Sequence, residues 1–88
     1  MSKEINKEVA EKVFGLKDPI IWRTYSTDIK AAWEVVRKMT GKDFLVEIKA
    51  FSVYTKVYCY GATESVSALE KSAPLAICKA ALAAVEGR

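Results

Sequence analysis

Two groups of residues in this 88-residue chain have the chemistry to hold a small ligand. Trp22, Arg23, Thr24 and Tyr25 are consecutive, and Tyr54, Lys56, Tyr58 and Tyr60 recur at every second position. Aromatic planes stack on bases, and Lys or Arg neutralises phosphate, so both groups suit a nucleotide. Trp22, Arg23, Tyr25, Tyr54, Lys56 and Tyr58 are therefore the candidate ligand-binding residues. A structural reading competes with this one. Trp22 and Tyr25 can pack between layers, and the tyrosines can cover a sheet while Lys56 turns its ammonium outward.

The same inventory argues against catalysis. There is no histidine, which removes the commonest general base, the commonest zinc ligand and every Ser-His or Cys-His pair. Nearly all of the 11 acidic residues have helix-surface, capping or turn readings, and no cluster has metal-ligand spacing. No glycine-rich phosphate loop is present. Cys59 and Cys78 lack the C-x-x-C spacing of zinc or redox sites and read as small buried residues in a reducing compartment. No catalytic residue, metal or cofactor is expected, and the chain is not read as an enzyme.

A net charge of +3 is too mild to announce a nucleic-acid binder. Residues 1–4 lack an apolar core and do not read as a signal peptide. The most apolar stretch, residues 73–85, is interrupted by Lys79 and falls short of the roughly 20 residues of a membrane span. A soluble intracellular protein, with no membrane partner, is expected.

The elements that must position these residues follow from periodicity. Ile5, Val9, Ala10, Val13 and Phe14 make an apolar stripe at helical spacing, ended by Gly15. Residues 19–27 follow neither period and read as an extended segment or a packed loop. Ser26-Thr27-Asp28 starts a second helix, with Ile29, Ala32, Trp33, Val36 and Met39 predicted inside and Lys30, Glu34, Arg37 and Lys38 outside. Gly41 closes it. From Asp43 the period becomes two. Phe44, Val46 and Ile48 oppose Leu45, Glu47 and Lys49, while Val53, Thr55, Val57 and Cys59 oppose Tyr54, Lys56, Tyr58 and Tyr60. A hairpin around residues 50–52 joins them, although no Gly or Asn dictates its turn. Residues 65–69 supply a third strand, and Ser72-Ala73-Pro74 opens a last helix. That helix is alanine-rich and apolar nearly all round, so it is either a central core helix or part of a subunit interface. Ala80 and Ala84 are the candidate interface residues.

Three blocks carry a resemblance. Val9-Ala10-Glu11-Lys12-Val13-Phe14-Gly15 is one; Tyr25-Ser26-Thr27-Asp28-Ile29 with Ala32-Trp33-Glu34-Val35-Val36 is the second. Ala73-Pro74-Leu75-Ala76-Ile77-Cys78 with Ala80-Ala81-Leu82 is the third. In this order they resemble the phage ABA-sandwich domain, a family of small phage and prophage proteins. The resemblance implies a single domain over residues 1–88, an α+β fold with a three-layer α/β/α sandwich around a small antiparallel sheet, and a phage origin. It implies no active site.

The α-β-β-β-α core within this order also invites comparison with a double-stranded-RNA-binding domain. Such a domain needs a basic cluster at the start of its last helix. Glu70-Lys71-Ser72-Ala73-Pro74 offers one lysine beside an acid, so a nucleic-acid partner is not expected. The working expectation is a phage-encoded, non-catalytic, homo-oligomeric protein. It would sequester a nucleotide-derived immune signal, of the cyclic oligonucleotide or cyclic ADP-ribose type, to block host defence. The alternative is a module that binds a host or virion protein without any small ligand.

Overall fold

The computed structural model describes residues 2–16, 24–62 and 64–86. Helix α1, Ser2–Glu8, runs on into a π-turn over Val9–Val13. The wider winding turns Val9, Ala10 and Val13 inward together. Phe14 N–H donates to the Val9 carbonyl at 3.2 Å and Leu16 N–H to the Ala10 carbonyl at 3.0 Å. Gly15 has φ 73°, the left-handed conformation that lets the chain turn away there.

Helix α2 is Ile29–Gly41. Its cap is the Asp28 carboxylate, which accepts from Lys30 N–H at 2.9 Å. Ser26 does not cap the helix. It is buried, and both its N–H and its hydroxyl donate to Asn6 Oδ1 at 2.9 Å, tying the turn before α2 to α1. The reversal after α2 comes at Asp43, with φ 69°, rather than at Gly41. Phe44 N–H then reaches the Met39 carbonyl at 3.1 Å, and the Phe44 ring turns into the core.

Three strands, β1 (Leu45–Ala50), β2 (Thr55–Tyr60) and β3 (Ser65–Glu70), form an antiparallel sheet in the order β1-β2-β3. Val46 pairs with Cys59 and Ile48 with Val57; Cys59 and Val57 in turn pair with Val66 and Ala68. These make the inner face. The period-two reading of both strands therefore holds, except that Val53 is exposed in the hairpin loop. That loop spans residues 51–54 and is closed by Phe51 N–H to the Tyr54 carbonyl at 2.8 Å. Gly61 lets the second turn press against Phe44: a Cβ there would meet the ring at 3.3 Å.

Helix α3, Ala73–Glu86, is capped by Ser72. It packs against β2 and β3 on one side and against α2 and the π-turn on the other. Contact on both sides explains its composition. Alanine lets two layers approach one helix closely, and a larger or charged residue would hold one of them off. The α+β class and the order α-α-β-β-β-α are as the sequence predicts. The layers are arranged around α3: every described helix lies on the inner side of the sheet, and the outward face of all three strands is uncovered by described residues.

Candidate functional site

The structure sets the described candidate residues in different surroundings. Trp22 and Arg23 lie outside the described residues. Tyr25 is buried, with its ring stacked on Phe14 at 5.1 Å between centroids. It is a core residue of the helical side, because the turn that carries it is pinned to α1. As a ligand contact it is corrected. Tyr54 precedes β2 and packs on Phe51 in the hairpin loop, 4.7 Å between centroids. Lys56 and Tyr58 do share the outward sheet face, together with Tyr60.

That face is ordered by strand register in three rows. Leu45, Tyr60 and Ser65 form one row, Glu47, Tyr58 and Ser67 the next, and Lys49, Lys56 and Leu69 the third. Tyr58 and Tyr60 stack at 5.8 Å with an interplanar angle of 9°. The ammonium groups of Lys49 and Lys56 stand 5.4 and 5.1 Å from the Tyr58 ring centroid. Tyr58 thus already has cation–π and aromatic partners from its own sheet. Tyr60 Oη donates to a Glu47 carboxylate oxygen at 3.1 Å. Partial burial and that carboxylate push the Tyr60 phenol above its ordinary value.

Among the described residues a concave surface lies elsewhere, on α2. Lys30, Trp33, Glu34 and Arg37 line a concavity of about 410 Å³ that opens to solvent. Spacings of three and four residues place all four on one face of the helix. Trp33 is 51% exposed there, although its hydrophobicity predicts an inward position. The buried stripe is Ala31, Ala32, Val35, Val36 and Met39, so the helix is rotated away from the expected phase and both Ile29 and Trp33 face outward. Small Ala31 sits where the neighbouring layer is close, and an indole would not fit. A stripe through residues 31, 35 and 39 was available in the sequence as the signal for this. A half-exposed indole flanked by a guanidinium and an ammonium can stack on a base and neutralise phosphate, and Glu34 adds an acceptor.

Two further groups have structural explanations. Ala80 and Ala84 are buried within the single chain, in the core between α3 and its neighbours. They cannot form a subunit surface, which corrects their assignment to an interface. Both cysteines are buried as predicted, and burial pushes the Cys59 thiol up to about 11 and the Cys78 thiol up to about 12. Neither is a thiolate at neutral pH. Among the described residues no three His, Cys, Asp or Glu side chains cluster as metal ligands, and no helix is long and apolar enough to cross a membrane.

None of the curated proteins matches this chain. It is similar to a phage protein from Bacillus cereus ATCC 14579 known from a crystal structure, at 30% identity and a TM-score of 0.80, over 97% of this chain and 92% of that one. The sequence profile of the phage ABA sandwich domain matches residues 7–82, which takes in α2, the whole sheet and most of α3. With its three blocks, its sheet and its central alanine-rich helix accounted for, the chain belongs to the phage ABA sandwich domain family.

Proposed function

We propose that this is a non-catalytic phage protein that takes up a nucleotide-derived immune signal of its host in the concavity on α2, and so withdraws that signal from anti-phage defence. The observation that carries the reading is the half-exposed Trp33 set between Lys30 and Arg37 around a space of ligand size. The indole would stack on a base while the two cations meet phosphate. Two protonated, buried thiols leave no ready nucleophile in either cysteine, which supports binding rather than turnover. The similarity to a phage protein supports the setting.

Calorimetric titration with cyclic dinucleotides, cyclic oligoadenylates and cyclic ADP-ribose isomers tests the reading. Binding of at least one, released unchanged on heat denaturation and weakened about tenfold or more in Trp33→Ala and Arg37→Ala, supports it. Release of a cleaved product would make the protein an enzyme. No binding across the panel overturns the proposal.

A further inference from the structure

We propose that the outward face of the sheet is a self-complementary surface on which a second copy of this chain docks, the two sheets crossing at about a right angle. An antiparallel sheet with one solvated face ordinarily carries polar residues there. Here Leu45 is 66% and Leu69 53% exposed, and they occupy opposite corners of the face. Glu47 and Lys56 lie on adjacent edges of the same face, on either side of Tyr58.

A two-fold axis lying in the interface along the diagonal through Tyr58 and Lys49 exchanges these positions in pairs. Leu45 of one copy then falls opposite Leu69 of the other, and Glu47 opposite Lys56, each contact occurring twice as an isologous interface requires. Tyr58 meets its own counterpart at the centre. Lys49 lies on the axis and faces its own counterpart. This single like-charge contact is relieved if its ammonium leaves the Tyr58 ring, 5.4 Å away, for solvent at the corner, and it is outweighed by the two Glu47–Lys56 pairs. The other diagonal also crosses the sheets at a right angle but sets Glu47 opposite Tyr60 and no lysine opposite a carboxylate. Axes parallel or perpendicular to the strands leave both leucines opposite polar side chains. Charge complementarity therefore selects one docking.

The size of the face sets its strength. Three six-residue strands with side-chain margins present roughly 500 Å² per copy, about 1,000 Å² per pair, the lower end for a specific interface. The dimer is accordingly concentration-dependent, in the micromolar range or weaker. None of these residues belongs to α2, so the concavity on that helix plays no part in the docking.

Sedimentation velocity of the full chain over micromolar to millimolar concentrations provides the test, with circular dichroism checking that each variant folds. Wild type should pass from monomer to dimer. Glu47→Lys and Lys56→Glu should each raise the dissociation constant about tenfold or more, and the two together should bring it back to within about threefold of wild type. Leu45→Glu with Leu69→Glu, both at exposed positions, should stay folded and monomeric. A wild type that remains monomeric throughout, a dimer that survives the double leucine replacement, or a paired charge exchange that fails to restore association overturns the proposal.

Discussion

Asn6 Oδ1 accepts two hydrogen bonds from Ser26, one from its N–H and one from its hydroxyl, both at 2.9 Å across 20 residues of sequence. A single buried amide oxygen thereby fixes the turn before α2 against α1, and with it the stacking of Tyr25 on Phe14. In Asn6→Ala the Ser26 donors stay buried without that acceptor. A loss of about 1–3 kcal/mol follows, read as a lower denaturant midpoint at unchanged slope. A midpoint equal to wild type would mean that the turn is held by other contacts.

Ala80 has no space around it and lies between two layers. Ala80→Glu would bury an unpaired carboxylate, and the expected result is loss of the cooperative thermal transition rather than a smaller but folded particle. A folded Ala80→Glu monomer would return that residue to a surface.

Gly15 isolates a backbone effect. An added Cβ there would meet nothing within 4 Å, so Gly15→Ala changes only the cost of φ 73°. The variant should lose roughly 1 kcal/mol in denaturant unfolding. An unchanged or higher stability would show that the left-handed turn is not maintained in solution.

Both thiols titrate higher in the folded chain than the ordinary value of 9.0, at about 11 for Cys59 and about 12 for Cys78. The folded state therefore holds these protons longer than the unfolded state does. Their contribution is complete below pH 9 and is lost as the pH rises from 9 toward 12. Urea midpoints should fall across that window, and less steeply in a Cys59→Val, Cys78→Ala variant. At neutral pH a thiol reagent should label neither cysteine until the chain is unfolded.

The strands were legible because one face is buried and the other is not. Alternation over residues 45–49 and 55–60 assigns those strand residues to their observed sides. The hairpin was harder: with no Gly or Asn to dictate a turn, nothing in residues 50–54 shows that Val53 belongs to the loop. In α2 the helix was plain and its phase was not. Scoring by hydrophobicity favours an inward Trp33, whereas packing favours Ala31, whose value is its small volume. For α3 the composition allowed both core and interface, and only the position of the sheet and α2 on its two sides decides. Among the candidate ligand residues, Lys56 and Tyr58 were placed on their face by alternation alone. Tyr25 was not, because its burial depends on Phe14 and on the long-range Asn6–Ser26 bonds, which no local pattern reveals.

The placement of α3 also bears on how the chain folds as it is made. Every other layer of the core packs against this helix, and α3 follows all of them in sequence. As the polypeptide leaves the ribosome, the inner face of the sheet and the buried stripe of α2 must wait for the segment they are built around. The earlier elements then have no independently stable intermediate to rest in, and acquisition of structure is a late, single event. A chain stopped after Lys71 should accordingly show no cooperative transition, and one that does would place a nucleus within the first two helices and the sheet.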